Sequence, residues 1–240
     1  MTHEHSAHSA HHHPVSGFGA DRAPHYDAQA AMALAGSAAL YELGACTLAS
    51  QLDGQDAASL LFVGVGTGME LLSFLPLEVP NWRFTGVDPS SAMLDVARAR
   101  LEKEGLSART HLHLGELQSL PEGPLFDGAQ MNGVLHHVDG EEARRALLRE
   151  VARRLKPGAP LVVGSRVGQD PELFEVELRR WRAKGVSRED LEQRRQGFAR
   201  MRPIESDAAL AQMLAQADFA PPRPIFTSLQ FKVFLTRRAG

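Results

Sequence analysis

LLFVGVGTGMELL, residues 60–72, is the stretch on which the fold of this chain turns. Ser59–Val63 is a short apolar run without breakers, the pattern of a strand buried on both faces. It passes directly into Gly64-Val65-Gly66-Thr67-Gly68, and a short helical stretch, Met69–Leu75, follows. Glycines here permit backbone angles closed to other residues and let a ligand approach the main chain. A loop between a parallel strand and its helix lies beyond the carboxyl ends of the strands, where open α/β sheets hold cofactors. The dinucleotide pattern G-x-G-x-x-G would need a glycine where Met69 stands, and no G-x-x-x-x-G-K-[ST] phosphate loop occurs.

The alternation continues outward from that loop. Trp82–Val87 reads as strand two, and Ser90–Glu104 as a helix with Met93, Leu94, Ala97 and Leu101 on one face. Thr110–Leu114 is strand three and Phe126–Met131 strand four. Glu141–Leu155 is a helix stopped by Lys156-Pro157-Gly158, and Leu161–Gly164 is strand five. Such alternation predicts a parallel sheet covered on both faces by helices. Pro171–Arg202 breaks the rhythm with two helices split at Gly185, and Asp207–Ala217 is a further helix. Pro224–Thr227 and Gln230–Thr236 are too close for a crossover and must pair as an antiparallel hairpin. Upstream, Asp27–Leu52 is rich in Ala and Leu and reads as one or two helices. The expected organisation is a His-rich tail over 1–16, an N-terminal helical lid over 17–55, and an α/β domain over 56–240 with a helical cap insert at about 171–202.

Asp88 ends strand two, 22 residues beyond Gly66. A carboxylate there can accept hydrogen bonds from both hydroxyls of an adenosine ribose. Asp88-Pro89-Ser90 also has the form of a helix start. Loop, spacing and strand end together favour the ribose role.

Five pieces of this chain, in this order and spacing, resemble the class I, Rossmann-like S-adenosylmethionine (SAM)-dependent methyltransferases. They are LLFVGVGTG (60–68), FTGVDPSSAMLDVARARL (84–101), LGELQSLP (114–121), FDGAQMNGVLHH (126–137) and LLREVARRLKPGAPLVV (147–163). The resemblance implies a seven-stranded, mostly parallel sheet whose last strand runs antiparallel. It implies that the loop from Gly64 through Val65, Gly66 and Thr67 to Gly68 faces the methionine and ribose parts of SAM. Asp88, next to Pro89, would hold the ribose diol, and Met93 would pack near the adenine. Glu116 stands where the family usually has an Asp for the adenine amino group, and the Leu117 amide would face a ring nitrogen. Asn132 would line the methionine end. One position departs from the pattern: the acid usual two residues before the first glycine is Phe62, so the SAM ammonium needs backbone carbonyls or another acid, Glu70 being a candidate. A weaker resemblance, through Tyr26-Asp27, Tyr41 and 194–234, is to carboxy-SAM synthase of the wobble-uridine tRNA pathway. It would bring Tyr41 and Arg195 to the methionine moiety or a substrate carboxylate.

Composition narrows the classes. The chain is 43% hydrophobic and 23% charged, ordinary for a globular protein, and no apolar run is long enough to span a bilayer. Cys46 is the only cysteine, which excludes an internal disulfide and fits a cytoplasmic protein. From Glu141 onward there are 20 Lys and Arg against 13 Asp and Glu, within a net charge of -3. Without a basic run interleaved with aromatics, this reads as an arginine-rich helical surface, not as a nucleic-acid face. Six of the eleven histidines fall before Ser16. They read as an incidental tail, and no metal is expected in the site.

Transfer of a methyl group from a sulfonium requires alignment of the nucleophile and exclusion of water. His136 and His137 follow strand four, and either, His137 first, can take a proton from an acceptor; a structural pair is the competing reading. Phe174, Trp181 and Phe198 lie on stripes of the cap, as its own packing or as lining of an apolar acceptor pocket, and Tyr26 belongs to the lid. The expected function is SAM-dependent methylation of a small molecule at O, N or C, giving S-adenosylhomocysteine. Carboxy-SAM-type chemistry and a non-catalytic SAM-binding protein are the alternatives.

Overall fold

The computed structural model describes residues 23–240; the His-rich stretch 1–16 lies outside them. Seven strands form one sheet: β1 (Ser59–Val63), β2 (Arg83–Asp88), β3 (Thr110–Leu114), β4 (Gly128–Asn132), β5 (Pro160–Arg166), β6 (Arg223–Ser228) and β7 (Phe231–Arg237). Their order is β3-β2-β1-β4-β5-β7-β6. The first five are parallel, and β7 runs antiparallel to both β5 and β6. The sheet is thus mixed, with the predicted hairpin at one edge. Its order reverses between β1 and β4, which opens a crevice at the carboxyl ends of those strands.

Among the described residues, eight α-helices flank the sheet: α1 (Tyr26–Ala33), α2 (Ser37–Gln51), α3 (Met69–Leu72), α4 (Ser91–Lys103), α5 (Glu141–Arg154), α6 (Pro171–Ala183), α7 (Arg188–Arg200) and α8 (Asp207–Ala215). Four begin with a side-chain cap that satisfies an otherwise orphaned amide: Ser90, Asp170, Ser187 and Ser206 each accept from an N–H in the first turn. Asp170 is followed by Pro171, whose fixed φ suits the first helical position. Between β3 and β4 the crossover carries only a single 3-10 turn, Leu117–Ser119.

β1 divides the core because side chains alternate along a strand. Leu61 and Val63 face a cluster with α5 and α8, including Leu148, Val151, Leu210 and Leu214. Leu60 and Phe62 face the other side, with Leu40 and Leu48 of α2 and Leu94 of α4. Phe62 sits edge-on to Phe74 at 5.8 Å and to Phe84 at 6.0 Å between ring centroids. An ionised acid at position 62 would be desolvated among these rings. Of the two helices described before β1, α2 is a core helix, and α1 lies outside the sheet's apolar cover, with no buried residue of its own. The two helices meet at Gly36, which takes a left-handed φ of 78° and bends the pair by 93°. Among the described residues no single helix is long and apolar enough to cross a membrane.

Part of the arginine surplus of the C-terminal half is spent on the protein's own carbonyls. Arg154 donates to Leu120 and Pro121, Arg144 to Val138, Pro203 and Arg202, and Arg238 to Leu155. Each fork of donors closes a loop that no helix or strand would satisfy. Others pair with acids along the outer face of α5, as Arg145 does with Glu141 and Glu142.

Phe74 is fully buried at the centre of the aromatic cluster. Phe74→Ala is expected to lower the unfolding free energy by about 3–5 kcal/mol, read from urea denaturation; a loss below about 1 kcal/mol would show that the cluster carries no such weight.

Candidate functional site

The glycine loop is held by hydrogen bonds to the end of β2. The amides of Gly64 and Val65 both donate to the Val87 carbonyl, at 2.8 and 3.1 Å. Gly66 N–H donates to Asp88 Oδ2 and Ser90 N–H to Asp88 Oδ1, each at 2.9 Å. Gly64 and Gly66 have φ of 70° and 54°. A Cβ at Gly64 would come within 2.4 Å of the Val134 side chain, so position 64 excludes larger residues by space as well as by angle. Burial pushes the Asp88 carboxyl up, and the two amides pull it back. Each carboxylate oxygen keeps a further lone pair, so the group can still accept two hydroxyl protons. Gly115 N–H donates to the Asp88 carbonyl at 3.0 Å, which brings Glu116 and buried Leu117 to the same rim. Met93, buried below, has its Cε 3.4 Å from where a Gly66 Cβ would stand.

On the other side of the loop a cavity of about 270 Å³ opens. Its floor is Gly64–Thr67 and Glu70, one wall is Asn132, His136 and His137, and Tyr26, Gln29 and Tyr41 approach from α1 and α2. Arg166, Glu177, Arg180 and Arg194 close the far end, together with Ser228 and Leu229 from the β6–β7 turn. Glu70 accepts a 2.7 Å bond from the Gln130 side-chain amide, and burial pushes its carboxyl up to about 7. Burial, with Glu70 nearby, holds the Tyr41 hydroxyl above its usual range. Both polar atoms of the Asn132 amide are buried without a hydrogen-bond partner. Orphaned groups lining a cavity are what a polar ligand would satisfy.

The two histidines divide. His136 is tucked against β5, its Nδ1 3.3 Å from Ser165 Oγ and accepting at 3.4 Å from the Arg166 amide. Burial first, then His137 and Arg166, hold its pKa well below the ordinary value, so it is neutral. His137 stacks obliquely at 4.3 Å and is exposed on the cavity side.

α1 lies over the cavity and is latched at both ends. At its start, Asp27 accepts from Thr67 Oγ1 at 2.5 Å and from the Arg100 guanidinium, and Arg100 also donates to the Thr67 carbonyl. At its end, Arg180 of α6 donates to the carbonyls of Ala31 and Met32. α6 is itself tied to the sheet by a two-pronged Arg166–Glu177 pair, both contacts at 2.9 Å.

The other residues singled out from the sequence lie elsewhere. Arg195 does not line the cavity; it pairs with Glu175 on the exposed face of the cap, because one step along a helix turns a side chain by about 100°. Arg194 takes the inward position, its guanidinium 3.4 Å above the Trp181 ring. Phe174 and Phe198 stack at 3.9 Å, and none of the three cap aromatics lines the cavity: they hold α6 to α7. Pro89 is exposed beside Asp88. Arg166, Glu177, Arg180, Ser228 and Leu229 had no sequence signal, since they come from β5, α6 and the β6–β7 junction and share no motif with the loop.

This architecture is that of a Rossmann-like methyltransferase fold. Residues 61–161 match the family model described as a methyltransferase domain. An uncharacterised transposon protein of Streptomyces fradiae is 36% identical over 47% of this chain and 31% of its own length. An O-methyltransferase of Penicillium expansum is 28% identical over 58% of this chain and 51% of its own. The chain thus spans about a third and about half of the length of these relatives. Among solved structures, mitomycin 7-O-methyltransferase aligns with a TM-score of 0.60 at 22% identity, over 85% of this chain and 55% of that one, a likeness of fold.

Arg100→Ala removes one latch of α1. Amide hydrogen exchange across residues 28–33 is expected to speed up by about tenfold, with α4 beyond position 100 unaffected; unchanged exchange would mean that α1 is held without Arg100.

Proposed function

We propose that this chain is an enzyme that transfers a methyl group from SAM to a small-molecule acceptor. The observation that carries this reading is a single cavity running from the glycine loop, next to Asp88, to the exposed edge of His137. When bound, SAM supplies an electrophilic methyl group on its sulfonium. The loop from Gly64 to Gly68 and Asp88 hold the nucleoside side, the carboxylate taking the ribose hydroxyls on its free lone pairs. Met93, Glu116 and Leu117 form the adenine side, and Asn132 and Tyr41 the amino-acid side. α1, carrying Tyr26, covers the cavity and keeps water out, since both of its ends are tied down. His137 accepts the acceptor's proton. His136, neutral and braced against β5, fixes its neighbour's position.

The acceptor is small, because α1, the cap and the β6–β7 turn enclose the far end of the cavity. The named activity of the Penicillium relative and of the mitomycin enzyme makes an oxygen nucleophile the first class to test. Several arginines of the C-terminal half, Arg144, Arg145, Arg154 and Arg238 among them, are engaged with carbonyls and acids, and no basic run interleaved with aromatics points to a nucleic-acid backbone.

Incubation with SAM and a panel of phenols, carboxylic acids and amines is expected to yield S-adenosylhomocysteine and an acceptor heavier by one CH₂, read by mass spectrometry. SAM binding without S-adenosylhomocysteine from any class would instead identify a non-catalytic SAM-binding protein. Asp88→Ala should weaken S-adenosylhomocysteine binding by about 1–3 kcal/mol in calorimetric titration, and undiminished affinity would remove the ribose contact. His137→Ala should cut turnover by about 10²-fold while leaving that affinity intact; unchanged turnover would strip His137 of its role.

A further inference from the structure

Phe62 and Gln130 are register partners on adjacent parallel strands and point to the same face of the sheet. Phe62 is spent on the aromatic core. Gln130 is buried among apolar residues and reaches out with its amide to Glu70, which arrives from α3 just after the glycine loop. Glu70 lines the cavity, and among the described residues no Lys, Arg or His bonds it. A carboxylate enclosed in this way is costly to ionise without a cation. Next to it along the same cavity is Asn132, whose side-chain oxygen and nitrogen both lack a partner. Three arginines line the opposite end, but each is already engaged, with Glu177, with α1 carbonyls or over Trp181. The near end therefore holds a carboxylate whose neighbours are neutral amides and no cation among the described residues.

We infer that Glu70, positioned by Gln130, is the anionic seat for the α-ammonium group of the amino-acid end of SAM. An ammonium brings three N–H donors and no acceptor, which suits a carboxylate. The Asn132 side chain bears on the same carboxylate and helps to keep it charged. This seat does from α3 what an acid at position 62 would do from β1, where the aromatic cluster leaves no room for charge. Burial already pushes the Glu70 carboxyl up to about 7, and a cation docked against it would bring it back toward the ordinary range. The inference rests on the SAM reading above.

Three ligands separate the two claims: S-adenosylhomocysteine, its analogue with a hydroxyl in place of the α-amino group, and 5′-methylthioadenosine, which lacks the amino-acid end. The wild-type protein should prefer S-adenosylhomocysteine over the hydroxyl analogue by about 100-fold. Glu70→Gln, which can still accept from Gln130, should shrink that preference to less than about tenfold and bind 5′-methylthioadenosine as the wild type does. A Gln variant that keeps the full preference, or a wild type that binds the amino and hydroxyl ligands alike, overturns the Glu70 assignment and leaves SAM binding standing. A wild type that binds none of the three overturns the SAM reading and this assignment with it. If circular dichroism shows the Gln variant unfolded, Glu70→Met, similar in size and uncharged, is scored by the same preference.

Discussion

The bond from Gly66 N–H to the Asp88 carboxylate is the constraint on which the site depends. It ties the loop after β1 to the end of β2, and through the second oxygen it fixes Ser90, the cap of α4. Three elements thereby converge on one carboxylate. Its burial carries a desolvation cost, which the two amide donors offset. The loop in turn is the floor of the cavity, and Thr67 on it is the anchor for α1. Loosening Asp88 would therefore disturb the glycine loop, the cavity floor and the cover together.

Much of the remaining architecture follows from how charge is handled in a small α/β body. The polar groups at the near end of the cavity are partly unmet, whereas the arginines at the far end are fully engaged. Such asymmetry orients a zwitterionic or charged ligand before any specific contact is counted. The arginine-rich C-terminal half keeps exposed arginines such as Arg179, Arg182 and Arg188 on its surface, while Arg144, Arg154 and Arg238 serve as internal donors. Long side chains with forked donors close loops whose carbonyls would otherwise be orphaned.

The cap and cover form a chain of latches. Arg166 holds Glu177, α6 carries Arg180 to the end of α1, and Asp27 at the other end of α1 returns to the glycine loop. These contacts are polar and partly exposed, so each is individually weak. A cover held by several weak contacts can open as a unit without disturbing the core, as an enclosed site requires for entry and exit.

The sequence by itself determined the order and type of nearly every element, because apolar periodicity and Pro or Gly breakers are local signals. It also located the glycine loop, Asp88 and the terminal hairpin, whose spacings are short or stereotyped. Only the tertiary structure decided which neighbours face the cavity. Arg194 and not Arg195 turns inward, since one residue along a helix reverses exposure. His136 is buried and His137 exposed, though they are adjacent. α2 joins the core while α1 stays over the site, and the cap aromatics pack with each other. Glu70, Gln130 and Asn132 meet from α3 and β4 across a gap of sixty residues, and no spacing along one chain encodes which faces of distant elements will be brought together.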